Sequence, residues 1–236
     1  MLRNTIRFAD ALVNRLVTFV CLLLFLICLY ATIDAANVYM NANDSSILKY
    51  KPELGTVVTP PPDLTEDFVA WITVDDSPLD YPIMQGETNY TYLNLDPYGN
   101  FSLSGSVFLD SRNSDDFSDP FSLVYGHHME HDAMFGALDH FCEQDYFDQH
   151  NTGVLMTEEG SCAIDFFACC KTMTDNWLIF DPNSGTNQQL LSYLQKNAEI
   201  YEPEGKDLSG RILALSTCQG SGMERLVLFG TLQDLP

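Results

Sequence analysis

The sequence predicts a mostly β domain, a closed and antiparallel-rich barrel with inserted helices, behind a single N-terminal membrane helix. Three observations lead to this fold class. Short strand-like runs dominate the chain from Phe68 onward, one long helical segment interrupts them, and an uncharged apolar stretch lies near the N-terminus. About 200 residues follow the apolar stretch, which is enough for one compact domain with a complete hydrophobic core.

The strand-like runs are mostly bounded by Gly, Pro, Asn, Asp or Ser, the residues that favour turns. They are Val69–Val74, Tyr81–Met84, Ser106–Leu109, Ser122–Tyr125, Gly153–Thr157, Cys162–Lys171, Arg211–Thr217 and Arg225–Thr231. The segment Asn187–Ile200 instead places its leucines along one helical stripe, and Met134–Phe141 has the pattern of a shorter helix. Many short strands interrupted by few helices predict the barrel.

The apolar stretch Leu16–Ile33 has the length and composition of a transmembrane helix. It contains no charged residue, and as a helix it would extend about 27 Å, close to the thickness of the hydrocarbon core of a bilayer. Three arginines and one aspartate precede it, so the positive-inside rule places the N-terminus in the cytoplasm and the following domain outside. A cleaved signal peptide is the alternative, but the apolar run is long for one and Asp34 disrupts the Ala35-Ala36 cleavage site.

The chain is therefore expected to divide into four parts. Residues 1–15 are cytoplasmic, residues 16–33 span the membrane, residues 34–63 form a stalk and linker, and residues 64–236 form the globular domain. The linker includes Thr56–Pro62, which ends in three consecutive prolines. Such a run excludes a helix at that point.

The charge balance narrows the range of partners. The chain carries 11 Lys or Arg against 33 Asp or Glu, a formal net charge of −22 at pH 7. Such a surface repels nucleic acid and anionic lipid headgroups, so no nucleic-acid partner is expected. Basic side chains are scarce, and each one near a candidate site is correspondingly informative.

The seven cysteines form no C-x-x-C pair, so neither a zinc ribbon nor a thioredoxin-like motif is supported. Two of them lie in the apolar stretch. Four others have apolar neighbours and are expected to be small core residues: Cys142, Cys162, Cys169 and Cys170. Cys218 differs, because it ends a strand-like run and precedes a polar loop that contains glycine.

Cys218 and Arg225 are candidates for a catalytic pair. The run that ends on Cys218 is followed, after six residues, by a run that begins on Arg225. If the two strands form a hairpin, facing Cβ atoms lie within about 5 Å at the same end. A guanidinium there favours the thiolate and stabilises an oxyanion. Taken alone, Cys218 could instead be a buried core cysteine, and Arg225 could instead be a solvated charge at a strand end.

His127 is the candidate proton carrier, because it follows a strand-like run and Gly126, and imidazole titrates near neutral pH. A competing pattern covers the same segment: His127, Glu130 and His131 match the H-x-x-E-H motif of a zinc-dependent hydrolase. That motif requires a helix, which the preceding strand-like run and Gly126 disfavour. No metal site and no cofactor are therefore expected.

Several segments, in order along nearly the whole domain, resemble the class B sortases, a family of cysteine transpeptidases. Ser216-Thr217-Cys218 followed by Arg225 resembles the catalytic end of the family, and Tyr125-Gly126-His127 resembles its catalytic-histidine segment. Further similar segments are Asp80–Gln85, Asn89, Tyr92-Leu93, Gly105–Asp110 and Met134–Gly136. The resemblance implies a closed eight-stranded barrel with a helix between the sixth and seventh strands.

The resemblance also implies a reaction. Cys218 attacks the Thr–Gly bond of an LPxTG-like or NPxT-like C-terminal sorting signal on a surface protein or pilin, and a thioacyl-enzyme forms. His127 carries protons, and Arg225 holds the substrate and stabilises the oxyanion. An amine from a cell-wall precursor or a pilin then takes the acyl group, at the outer membrane face of a Gram-positive cell.

The resemblance further implies that five residues line the peptide groove: Asn89, Leu93, Tyr125, Ser216 and Thr217. Leu93 and Tyr125 are alternatively core residues. Two departures from the family stand out, a short loop between Cys218 and Arg225 and Gly220 where some class B enzymes carry an acidic residue. Besides the zinc hydrolase, a catalytically silent sortase-fold binding module remains an alternative function.

Overall fold

A computed structural model of the chain describes residues 2–42, 45–56, 58–218 and 223–235. These residues belong to two compact units, one covering residues 1–41 and the other residues 42–236. The first unit is formed by the helix α1 (Leu2–Ala42), whose large apolar side chains are exposed. Among the described residues, α1 is the one helix that is long and apolar enough to cross a membrane, a property that membrane anchors share with signal sequences.

The second unit consists mainly of short strands. The strands are β1 (Phe68–Val74), β2 (Asp80–Met84), β3 (Val107–Leu109), β4 (Phe121–Gly126), β5 (Thr152–Thr157), β6 (Gly160–Met173), β7 (Ile200–Tyr201), β8 (Arg211–Cys218) and β9 (Glu224–Asp234). The helices are α2 (Gln144–Gln149), α3 (Trp177–Phe180) and α4 (Asn187–Asn197), with 3-10 helices at Ser45–Tyr50, Thr91–Leu93 and Phe135–Cys142. All eight predicted strands are confirmed, with ends that shift by one to three residues.

The strands form a closed barrel. Neighbouring strands follow the order β5-β1-β2-β3-β4-β8-β9-β6, and β5 also pairs with β6, which closes the ring of eight. The two-residue strand β7 attaches to β6 outside this ring. The pairs β2–β3 and β4–β8 are parallel, and the other pairs are antiparallel. The predicted eight-stranded barrel is confirmed, with α4 between the sixth and seventh strands of the ring.

Both faces of the barrel wall next to α4 are buried. Along β8, Leu213 and Leu215 belong to the interior core, whereas Ile212 and Ala214 belong to an outer apolar cluster. α3 and α4 contribute Ile179, Leu190 and Leu194 to this outer cluster. A second outer cluster packs over β1, β2 and β3 and includes Trp71, Met84, Tyr92 and Phe108. The functional surfaces therefore lie at the strand ends and between the two outer clusters.

The predicted helix Asn187–Ile200 is confirmed except at its end. It begins at Asn187 because Thr186 and Gln189 form a capping box, in which each side chain bonds the other residue's backbone N–H. It stops at Asn197 because the following residues pair with β6: the Glu199 N–H donates to the Cys169 carbonyl, and Ile200 lies opposite Cys169. Tertiary pairing thus overrides the local helical pattern.

Some residues of the predicted stalk and linker contact the barrel. Val58 and Leu64 are buried in the cluster over β1 to β3. Lys51 pairs with Asp80 at 2.7 Å, and Asp80 also accepts a 2.6 Å hydrogen bond from the Trp71 indole. Residues 58–61 contain neither helix nor strand, as the proline run predicts.

Candidate active site

The barrel topology brings three predicted catalytic residues to one end of three neighbouring strands. In the parallel pair β4–β8, Gly126 lies opposite Thr217, and His127 and Cys218 are the next residue of each chain segment. In the antiparallel pair β8–β9, Cys218 lies opposite Arg225. Since neighbouring strands are about 4.8 Å apart, the backbone of Cys218 lies between the chain segments that carry the other two residues.

The structure describes the backbone of Cys218 but not its side chain, and the strand register assigns position 218 to a face of the sheet. Side chains alternate along a strand, so residue 218 shares a face with Ile212 and Ala214. Arg225 shares a face with Val227 and Phe229 on β9. All four of these apolar residues belong to the outer cluster beneath α4. The register therefore places positions 218 and 225 on the outer face of the barrel.

His127 is oriented by a backbone carbonyl. Its Nε2 lies 2.7 Å from the oxygen of Leu93, the last residue of the 3-10 helix Thr91–Leu93. A carbonyl only accepts hydrogen bonds, so Nε2 carries the hydrogen and Nδ1 is the basic nitrogen of the neutral ring. The imidazole is half-buried. This arrangement leaves one nitrogen available for proton transfer.

Gly105 permits the close approach that holds His127. Its φ of +59° lies in the left-handed region, and a Cβ there would lie 2.6 Å from the Leu93 oxygen and 3.0 Å from His127 Cδ2. A larger residue at this position would push the carbonyl away from the imidazole. Sequence reasoning missed this role, although Gly105 begins one of the segments that resemble class B sortases.

Gly105→Ala is expected to reduce turnover by about 10- to 100-fold, because misplacement of a catalytic group by about 1 Å has effects of this size. It is also expected to lower the free energy of unfolding by about 1–3 kcal/mol through backbone strain. Gly205→Ala is a matched control, since Gly205 has a φ of +78° with no atom within 4 Å of the added Cβ. Peptide turnover and chemical denaturation separate the two effects. Equal losses of turnover in both variants would contradict the proposed support of His127.

Arg225 and Tyr125 lie close together on the outer face. Burial, together with the charge of Asp110 and the hydrogen bond to it, raises the pKa of Tyr125, and the charges of Arg112 and Arg225 partly offset this rise. Arg225 itself is half-buried. On the neighbouring strand β6, Thr172 lies opposite Arg225 and hydrogen-bonds Tyr193 of α4 at 3.2 Å. The arginine is thus bordered by Tyr125 on one side and α4 on the other.

The predicted groove residues take different positions. Tyr125 is half-buried and packs against both outer clusters, and Leu93 is half-buried against the cluster over β1 to β3. Asn89 donates a 2.9 Å hydrogen bond to Asp110 and accepts one of 2.7 Å from the Ser111 N–H. We use the term groove for the outer surface between the 3-10 helix Thr91–Leu93 and α3, where Tyr125 contacts both outer clusters.

The last two predicted groove residues, Ser216 and Thr217, are buried. They alternate along β8, so Ser216 shares the outer face with residue 218 while Thr217 faces the barrel interior. The hydroxyl of Ser216 has no hydrogen-bond partner among the described residues. Its side chain lies beside Tyr125, its register partner on β4.

Among the cysteines expected in the core, Cys162, Cys169 and Cys170 are buried free thiols. Burial raises the pKa of Cys170 to about 12 and also raises the pKa of Cys162. Cys142 is half-buried, not fully buried, with its sulfur 2.8 Å from the sulfur of Cys169. This contact lowers the pKa of Cys142. Among the described cysteines, Cys142 is therefore the alternative nucleophile that an experiment has to exclude.

The helix that a zinc-hydrolase motif requires is not formed. The segment from His127 is irregular, with a β-bridge between His128 and Met134 and a φ of +60° at His131. The ring of His128 instead pairs with Asp139 at 2.7 Å. Within the part of the chain that the structure describes, no group of three His, Cys, Asp or Glu side chains is arranged to hold a metal ion.

Known proteins share this fold. No family model matches the chain. A class B sortase of Streptococcus pyogenes, Spy0129, which is involved in pilus biogenesis, superposes with a TM-score of 0.67 at 35% identity and covers 72% of this chain and 94% of its own. The Staphylococcus aureus sortase B–substrate complex gives a TM-score of 0.66 at 29% identity, over 73% of this chain and 82% of its own. The barrel therefore has the sortase fold, the fold of a class of cysteine transpeptidases.

A curated relative identifies the family within this class. Sortase B of Staphylococcus aureus (strain NCTC 8325 / PS 47) is 31% identical over 163 residues, which are 68% of this chain and 67% of that protein. The chain belongs to the sortase B family and is a cysteine transpeptidase. The family membership confirms the resemblance of the sequence to class B sortases and favours an enzyme over a catalytically silent module.

Proposed function

We propose that this enzyme cleaves a C-terminal LPxTG-like or NPxT-like sorting signal between Thr and Gly and transfers the new acyl group to an amine. The observation that supports the proposal most is the register of β4, β8 and β9, which puts His127, Cys218 and Arg225 at one strand end. The Staphylococcus aureus sortase B, a relative with the same fold, has been solved with a substrate bound.

In the first step, the thiolate of Cys218 attacks the threonine carbonyl carbon and the carbonyl electrons move to oxygen. Arg225 stabilises this oxyanion and favours the thiolate. His127 in its protonated form donates a proton to the leaving glycine amine, and the C–N bond breaks. The product is a thioester between Cys218 and the threonine.

In the second step, an amine attacks the thioester. His127 accepts a proton from this amine, and the thiolate of Cys218 leaves. The acyl donor is a surface protein or pilin that carries the signal, and the acceptor amine belongs to a cell-wall precursor or a pilin. Spy0129, a similar class B sortase, is involved in pilus biogenesis.

The sorting signal is proposed to lie in the groove between the 3-10 helix Thr91–Leu93 and α3. Asn89, Leu93 and Tyr125 are half-buried on this surface and available for contact. Ser216 and Thr217 are buried beneath it. We assign these two the role of shaping the groove next to Cys218 from beneath, because β8 pairs with β4 on one side and with β9 on the other.

The proposed location of this chemistry is outside the cytoplasmic membrane of a Gram-positive cell. Residues 1–15 remain in the cytoplasm, residues 16–33 span the membrane, residues 34–63 connect, and residues 64–236 form the catalytic domain. The basic N-terminus and the exposed apolar surface of α1 support this orientation.

The test is incubation of the detergent-solubilised full-length enzyme with a library of sorting-signal peptides and amine acceptors, read by mass spectrometry. Cleavage after Thr, a thioester adduct of the enzyme and an acyl–amine product are expected with the wild type. The same library with Cys218→Ala is the control. A folded wild-type enzyme that forms neither adduct nor product with any signal would overturn the proposed function.

A further inference from the structure

A half-buried ion pair, with a buried carboxylate and an exposed guanidinium, lies at the edge of the groove. Asp110, directly after β3, has no exposed surface. Arg112 reaches back to it with a two-pronged fork, from Nε to Oδ1 at 2.8 Å and from Nη2 to Oδ2 at 2.7 Å. Burying a carboxylate is unfavourable unless it is paired and fully hydrogen-bonded. The pair therefore meets the conditions for a rigid, specific contact.

The same carboxylate holds one side of the groove. Its Oδ2 accepts a 2.9 Å hydrogen bond from the Asn89 amide and a 3.1 Å hydrogen bond from the Tyr125 hydroxyl. The other end of the Asn89 amide is fixed by the Ser111 N–H at 2.7 Å. One buried charge thus orients two of the residues proposed to bind the sorting signal.

Arg112 holds the other side. Its Nη2 also donates to the Phe180 carbonyl at the end of α3, at 2.7 Å, and its Nη1 lies 3.3 Å from Asp181. Phe180 and Asp181 end the segment 174–181. Its other end is held near Arg225, where the Thr174 N–H donates to the Met223 carbonyl at 2.8 Å. The segment 174–181 is therefore fixed at both ends, beside Arg225 and at Arg112.

The pair is ionised at neutral pH. Burial alone would raise the pKa of Asp110, but the hydrogen bonds from Arg112 and Asn89 outweigh it and leave the pKa of Asp110 below its ordinary value. The same contact raises the pKa of Arg112. The bridge between the two sides of the groove is therefore charged throughout the physiological pH range.

The geometry points to Asp110 and Arg112 as positioning residues that set the spacing between Asn89 and Tyr125 on one side of the groove and α3 on the other. Within the described part of the chain, neither residue forms a hydrogen bond or an ion pair with His127 or Arg225. They act on the fit of the peptide rather than on bond making. This inference rests on the proposed function, because the groove is where that function places the sorting signal.

Arg112→Lys is the principal test, because it keeps the charge but loses the planar fork that bonds Asp110 and the Phe180 carbonyl together. We expect KM for a sorting-signal peptide to rise by about 10-fold or more, with kcat changed less than about threefold, the pattern of lost substrate binding. The rate at which iodoacetamide alkylates Cys218 is expected to stay at the wild-type value, since this small reagent needs no groove. Asp110→Asn is expected to have the same signature.

Arg211→Lys is the matched control. Arg211 pairs with Asp234 at the opposite end of β8, away from the groove. Its substitution is expected to change thermal stability without raising KM. Arg112 is 40% exposed, so the lysine variant is expected to fold, and a thermal melt checks this.

The outcomes separate the two hypotheses. An active wild type with an unchanged KM in Arg112→Lys, or an equal rise of KM in Arg211→Lys, overturns the positioning role alone. A slower alkylation of Cys218 in Arg112→Lys also overturns it, because the effect then lies in the catalytic centre. A wild type that turns over no signal peptide, although Cys218 is alkylated, overturns the proposed function and this inference with it.

Discussion

Replacement of Cys218 by alanine is expected to abolish acyl transfer, with a fall in kcat of about 10⁴-fold or more, the size seen when a covalent nucleophile is removed. In the proposed mechanism the thiol is both the attacking group of the first step and the leaving group of the second, so its loss blocks both steps. Turnover of a sorting-signal peptide measures the loss. The intact mass of the enzyme shows whether the thioester adduct disappears as well.

Cys142→Ala is the matched control for this experiment. Cys142 is the described thiol whose pKa is lowered, and it lies on the 3-10 helix Phe135–Cys142. This variant is expected to keep both the adduct and the turnover. Residual transfer by Cys218→Ala, or an adduct that vanishes in Cys142→Ala, would assign the nucleophile to a different residue.

The strands could be predicted from the sequence because their signals are local. Short runs of strand-favouring residues, mostly bounded by turn residues, mark each strand within about ten to fourteen positions. The order of the strands in the barrel could not be predicted in this way, because it depends on pairing between distant parts of the chain. The parallel pairing of Gly126 with Thr217 joins residues far apart in the chain, and no local pattern encodes it. Only the resemblance to a family linked His127 to Cys218 at the sequence level.

The hairpin of Cys218 and Arg225 was predictable because a short loop joins its strands, and the register confirms that they face each other. The support beneath the site was not predictable in this way. Gly105, Asp110 and Arg112 act through contacts with residues from other elements, such as the Phe180 carbonyl. The scarcity of basic residues is the one sequence signal that points to Arg112, since any arginine near a candidate site is unusual in this chain.

The alternation of β8 also refines the sequence-based interpretation of the groove. Ser216 and Thr217 are adjacent, so they face opposite sides of the barrel wall. Sequence similarity assigns both to the groove without distinguishing the faces. The structure places Ser216 in register with Tyr125 on the outer face, so of the two residues Ser216 is the one proposed to lie nearer the peptide.

Arg225→Ala is expected to lower kcat by about 10²- to 10³-fold, the effect of removing one oxyanion donor. The kcat of Arg225→Lys is expected to lie between those of Arg225→Ala and the wild type, because lysine keeps the charge but lacks the paired N–H groups of arginine. We also propose that the guanidinium favours the thiolate of Cys218, which lies opposite Arg225 in the strand register. Its removal is therefore expected to raise the pKa of the thiol and shift alkylation of Cys218 to higher pH.

Arg211→Ala is the control for this prediction, and kcat and the pH profile of Cys218 alkylation are measured for both variants. Arg211→Ala removes a guanidinium from the far end of β8, and it is expected to leave both kcat and the pH profile of Cys218 alkylation unchanged. Arg225→Ala is expected to shift the profile and lower kcat together, because one charge acts on both the thiolate and the oxyanion. A lowered kcat with an unchanged pH profile of alkylation would mean that the guanidinium acts on the substrate oxygen but not on the sulfur. An unchanged kcat would show that Arg225 has no part in catalysis.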